Sequence, residues 1–214
     1  MGESACLIFT RFSPRLGHAA LPLHFGVATM TDSLRTFRKL AMANRLANAR
    51  LHRACAALDP ADLVAPRPAY FGSIQATLNH ILLVDRFYLN ALDGGRLNQP
   101  AQDEARACPD LPTLTAWQTD SDLRLIAHVQ RLSVGDLSLI VAIDRGDRVQ
   151  KDRQDDILLH LLTHQIHHRG QVHGLLSAAS VTPPQLDEFI MEDDHPARAE
   201  DMARLGWAET DLMR

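Results

Sequence analysis

Aromatic residues make up only 5% of this 214-residue chain, and no apolar run reaches the roughly 18 to 20 residues that a membrane span needs. A transmembrane helix is therefore not expected. The three cysteines, Cys6, Cys55 and Cys108, are odd in number and far apart, so they specify neither a disulfide framework nor a zinc ribbon and suit a reducing cytoplasm. Basic residues form no dense block: 22 Lys and Arg are scattered against 26 Asp and Glu, which removes the electrostatic footprint of a nucleic-acid binder. Internal repeats and low-complexity tracts are also missing.

The length supports one substantial core with appendages. Residues 1–29 read as an N-terminal extension, because Pro14, Gly17, Pro22 and Gly26 break any period. Glu3 sits where a secretion signal needs basic residues, and Arg11 and Arg15 interrupt any apolar stretch, so a signal peptide is not expected. Met30 directly precedes a helix-start signal, Thr31-Asp32-Ser33, and the reading favoured here is a misassigned start, with the domain beginning at Met30.

Apolar periodicity predicts four long helices. Leu34, Phe37, Ala41, Asn44, Ala47, Leu51, Ala54 and Leu58 mark the first, from about Asp32 to Leu58, where Asp59-Pro60 stops it before an extended loop carrying Pro66 and Pro68. Ser73 caps the second, which runs from Ile74 to Leu92 before Gly94-Gly95. After a polar connection over 96–112, Thr113 is expected to cap the third, whose stripe is Leu114, Trp117, Ser121, Leu125, His128 and Leu132. Leu137, Leu139 and Val141 then alternate with polar positions ahead of Arg145-Gly146-Asp147, which suggests a short hairpin. The fourth helix spans about Gln154 to Ser180, before Pro183-Pro184, and residues 191–214 form a charged tail with one short helix near 197–205. Amphipathic helices of this length must bury their apolar faces on each other, so the expected fold is all-α: a four-helix bundle with a short hairpin between helices 3 and 4.

The histidines carry the chemistry. The inward stripe of the fourth helix reads Ile157, Leu161, His164, His168, Val172 and Leu175, which puts two imidazoles where a bundle normally has Leu or Ile. Residues four apart on a helix stand about 5–6 Å apart at Cβ, within reach of a single ion. A third ligand should come from a facing helix. His80, between Leu78 and Ile81, is the leading candidate, and His128 on the third helix competes with it. His160 is one turn before His164, while His167 lies about 100° round the helix from His168 and should face elsewhere. Gln165 follows His164, so the His-Glu-x-x-His pattern of zinc peptidases is absent.

The run from His164 to Val172, with Leu159-His160-Leu161 before it and Leu78-Asn79-His80-Ile81-Leu82 earlier, resembles the DinB family of metal-binding four-helix bundles. The resemblance spans about Thr31 to Phe189 and implies the domain 30–190, a frequent homodimer, and the ligand set His80, His164 and His168 around one divalent ion. Imidazole ligands suit zinc, nickel, copper and iron alike, with geometry and availability deciding; zinc or nickel is the expected ion, with iron and copper as alternatives. His160 and Gln171 are expected to orient the ligands or substrate. Two chemistries follow from an ion with an open position: activation of a small thiol for transfer to an electrophile, or activation of water for hydrolysis. Relatives that use bacillithiol or mycothiol favour the thiol S-transferase, and a noncatalytic metal-binding stress-response role is the third reading. The dimer is expected through the second helix, where Ile74, Leu78, Ile81, Leu82, Val84, Phe87 and Leu89 cover more than half the circumference.

Overall fold

A computed structural model describes residues 32–95 and 108–213, with side chains from Leu34 onward. The expectations for residues 1–29 and for most of the connection 96–112 lie outside the described residues.

The chain is mostly helical. Helix α1 spans Asp32–Cys55 and buries Ala41, Leu46, Ala47 and Leu51. It ends three residues before the expected Leu58, in a turn where Ala57 and Leu58 N–H bond to Ala54 and Cys55 O, and Asp59-Pro60 instead starts something new: the Asp59 carboxylate accepts from the Ala61 N–H, Pro60 sits in the first turn, and a short helix α2 forms over Pro60–Val64 where an extended loop was expected. Helix α3 covers Ile74–Leu92, with the Ser73 hydroxyl accepting from the Ala76 N–H as the sequence predicts. Helix α4 runs over Leu111–Arg131. Its cap is Asp110 and not Thr113, since the Asp110 carboxylate accepts from the Thr113 N–H at 2.8 Å and Pro112 is tolerated inside the first turn.

The expected hairpin is present. Strands β1 (Ile140–Asp144) and β2 (Val149–Arg153) pair antiparallel from Ile140↔Arg153 to Asp144↔Val149, while Leu137 lies in a preceding turn of 3-10 helix instead of a strand. Gly146, at φ 87°, supplies the left-handed residue that the hairpin turn needs. Helix α5 spans Gln154–Leu176, one turn shorter than expected. It packs on both α1 and α3, so it buries a wider face than a single stripe: Leu158, Leu162, Gln165, Arg169 and Leu176 join Ile157, Leu161, His168 and Val172, while His164 and Leu175 are only partly buried.

The tail carries two helices, α6 (His195–Leu205) and α7 (Glu209–Met213). It is docked on α1. Phe189, Met202 and Leu212 enter the core, Asp201 accepts from Arg50 and Arg53, and Arg198, 0% exposed, pairs with Glu209 at 2.8 Å.

α1 packs against α4 and α5, and α3 packs against the same two helices. The apolar core is split into two clusters, one toward the α1 start and the hairpin, the other around Leu51, Ile74, Leu114 and Leu176. Between them lies a buried polar layer to which all four long helices contribute. Asp122 Oδ1 accepts from Asn48 at 2.8 Å, Asn44 at 3.2 Å and Gln118 at 3.1 Å. Gln118 also donates to Asp85, as does Gln165, and Arg169 Nη1 donates to Asn44, Asn48 and Gln165. The apolar surplus of α3 is largely consumed inside the chain: Ile74, Leu78, Ile81, Leu82 and Leu89 are buried and Val84 and Phe87 partly so, which leaves Leu83, 36% exposed, as the main outward apolar side chain.

Candidate metal centre

His80 lies in the first half of α3, a helix whose start is fixed by the Ser73 cap. The loop before that cap folds on itself through Arg67 N–H to Gly72 O and Gly72 N–H to Ala69 O. Gly72 adopts φ 79° there, a conformation that costs a side-chain-bearing residue strain. This turn lays Phe71 over the imidazoles: its ring stacks on His80 at 4.2 Å between centroids and meets His168 edge-on at 5.5 Å.

His164 and His168 come from successive turns of α5, with ring centroids 4.3 Å apart. The three imidazoles converge. One nitrogen from each of His80, His164 and His168 lies within 4.8 Å of the others, and the Nε2 atoms of His80 and His164 are 3.0 Å apart. Two imidazole lone pairs that approach this closely need either a proton on one of them or a cation between them. Burial, followed by the proximity of His168 and His80, pushes the His164 pKa down to about 3, and burial followed by His168 lowers that of His80. Both rings are therefore neutral at pH 7, the state in which imidazole donates a lone pair to a metal. With donors at about 2.0–2.1 Å a tetrahedral ion holds its ligand nitrogens about 3.3 Å apart, so the His80–His164 spacing is close to what such an ion requires.

Gln171 is where a supporting residue should be. His168 Nδ1 donates to Gln171 Oε1 at 2.7 Å, which leaves His168 Nε2 as the free lone pair, and the Gln171 amide nitrogen is 3.2 Å from His167 Nε2. His167 itself is exposed, as its position on the helix predicts. His164 Nδ1 is buried with no partner among the described residues. His160 is exposed, with its ring 6.1 Å from that of His164 and edge-on to Tyr88 at 5.0 Å, so it borders the site without bonding a ligand imidazole. His128 is buried beside Asp93 and Arg131 and outside the convergent group.

A cavity of about 550 Å³ opens beside His164, walled by Leu83, Val84, Phe87 and Tyr88 of α3, by His160 and by Arg145 of the hairpin turn. Sequence reasoning missed Phe71, this use of Arg145, and the polar layer behind the histidines. The layer did leave a trace. Asn44 falls on the apolar stripe of α1, and Gln165 and Arg169 each follow a histidine of the α5 pair.

The DinB family model matches residues 30–202. Among solved structures, a DinB-like protein from Bacillus cereus ATCC 10987 shares the fold with a TM-score of 0.50 at 17% identity, covering 65% of this chain and 89% of that one. A search of curated proteins finds no match. No helix among the described residues is long and apolar enough to cross a membrane. With the family model spanning most of its length and a DinB-like structure sharing its fold, the chain belongs to the DinB family.

Proposed function

We propose that the four long helices form the family's bundle around one divalent metal ion, held by His80, His164 and His168, and that the protein is a metal-dependent thiol S-transferase acting on small electrophiles. The observation that carries this reading is the convergence of three imidazoles beside a cavity, with no Cys, Asp or Glu joining them among the described residues. A three-histidine donor set leaves room for an external ligand, as catalytic zinc sites do. Three imidazoles suit zinc, nickel, copper and iron, and zinc or nickel is the ion proposed.

The chain's own residues prepare the site. Gln171 holds the Nδ1 proton of His168 so that its Nε2 lone pair is available. Phe71 covers the face of His80 and meets His168 edge-on, so an apolar ring borders that side of the site. Burial lowers the pKa of both His80 and His164, that of His164 to about 3, which favours the unprotonated, lone-pair-bearing form of each donor. The cavity gives an electrophile an apolar place beside His164, where proximity can lower the barrier. A divalent ion held there supplies the positive charge that converts a thiol of ordinary pKa, about 8.5, into its nucleophilic thiolate form.

The test has two stages. Metal analysis of the wild type should return one ion per chain, and His80→Ala, His164→Ala and His168→Ala should each abolish it; full occupancy in His80→Ala would remove this ligand set. The loaded protein is then incubated with chlorodinitrobenzene and, in turn, glutathione, bacillithiol, mycothiol or cysteine, with His168→Ala as control. Turnover with one thiol supports the transferase. Metal-dependent hydrolysis of a simple ester, with no thiol turnover, would replace it with a hydrolase, and neither activity in a metal-loaded protein would leave a noncatalytic metal binder.

A further inference from the structure

We infer that the cavity beside His164 binds a small molecule that combines an apolar, aromatic-sized body with a carboxylate, and that Arg145 is the residue that recognises the carboxylate. The inference deepens the proposed function, on which it rests, by naming the class of second substrate.

Three observations lead to it. The cavity floor is apolar, made by Leu83, Val84 and Phe87, and its about 550 Å³ falls within the roughly 300–1,000 Å³ of ordinary small-molecule sites. No acidic side chain lines it, while Arg145 stands at its rim. Arg145 is exposed and has no carboxylate partner among the described residues, yet its guanidinium makes three side-chain contacts. Its Nε donates to Gln150 Oε1 at 2.8 Å, its Nη2 donates to the Tyr88 hydroxyl at 3.2 Å, and its guanidinium carbon lies 4.6 Å from the centre of the Phe87 ring.

These contacts use two of the five guanidinium N–H groups and leave both Nη1 protons and one Nη2 proton without a partner among the described residues; one proton from each terminal nitrogen makes the fork that a carboxylate engages. The backbone beneath is equally constrained. Arg145 N–H bonds to Arg148 O across the turn, Asp144 accepts from Gly146 N–H, and Ile143, next along β1, is fully buried. The side-chain contacts restrict the guanidinium, which reduces the entropy lost when it binds an anion. Stacking on Phe87 and Tyr88 places that charge against the same aromatic wall that would contact the body of the ligand. A ligand with its carboxylate at Arg145 and its body along Leu83, Val84 and Phe87 directs its far end toward His164.

The probe is 2-naphthoate, with the neutral 2-naphthamide as its uncharged counterpart, titrated calorimetrically into metal-free and metal-loaded protein without any thiol. Naphthoate should bind tenfold or more tightly than naphthamide. Arg145→Met, which keeps the aliphatic stem, should erase that preference while leaving naphthamide affinity and metal content unchanged. Val84→Trp, which fills the cavity, should abolish binding of both. Equal affinity for naphthoate in wild type and Arg145→Met overturns the assignment, and so does binding that requires the metal and disappears in His164→Ala, because the carboxylate then sits on the ion. Both readouts are independent of turnover, so the transferase reading can fail while this one stands.

Discussion

Replacing Arg169 with Met tests whether the polar layer between the two apolar clusters holds the core together. Arg169 is buried, and its Nη1 is the donor for three amide oxygens, those of Asn44, Asn48 and Gln165. Nη1 carries two protons, so the three contacts amount to about two full charge-assisted bonds, each contributing about 1.5–3 kcal/mol. Met preserves much of the stem's packing but strands these acceptors and removes a cation that faces Asp85 and Asp122, leaving Arg45, 3.7 Å from Asp122, as the remaining counter-charge; burial has already raised the pKa of both carboxyls, that of Asp122 to about 6. Deprotonation offers no escape for the wild type, because burial lowers the Arg169 pKa only to about 10. Breaking a buried charged network by removing one partner costs about 3–5 kcal/mol, and that is the loss expected for Arg169→Met in urea unfolding of the metal-free protein at pH 7. The variant should still bind metal, since Arg169 projects into the layer and away from the imidazole cluster. A loss below about 1 kcal/mol would refute the reasoning and mean that the amides repair the gap among themselves or with water.

Three further outcomes follow from the same contacts. Gln171→Leu removes the acceptor for His168 Nδ1 and should weaken metal binding about 10- to 100-fold with little change in the stability of the metal-free protein, measured by competition with a chelator; unchanged affinity would show that Gln171 positions nothing. His52 is buried, bonded to Thr115 at 2.9 Å, and burial pushes its pKa from 6.5 to about 4, so the native state takes up its proton less readily than the unfolded chain. Its contribution is full above pH 6.5 and declines as pH falls toward 4, by about 3 kcal/mol, so the stability gap between wild type and His52→Gln should shrink by that amount over this range, and a gap independent of pH would contradict the burial. Phe189→Ala should cost about 3–5 kcal/mol because its ring is buried against α1 with Arg50 over its face, and a cost under about 1 kcal/mol would show that the tail is only loosely docked.

The sequence by itself determined the long helices, the hairpin and the His164 and His168 pair, because each rests on local rules. Periodicity sets the buried faces, Ser73 and the Gly94-Gly95 pair mark helix ends, and an i, i+4 spacing places His164 and His168 on one face whatever surrounds them. The smaller errors were local as well: Asp59 caps a short helix where a loop was expected, and Asp110 caps α4 three residues ahead of the expected Thr113, because an Asp cap tolerates proline in the first turn. What only the tertiary structure decided depends on which helices meet. His80 could be preferred over His128 from its own setting only weakly; the packing of α3 on α5 brings its Nε2 to 3.0 Å from His164, while His128 is turned to Asp93. The polar layer was equally hidden. Asn44, Asp85, Gln118, Asp122, Gln165 and Arg169 look like isolated blemishes on separate stripes, and only when all four helices come together does each find the partners that make its burial affordable.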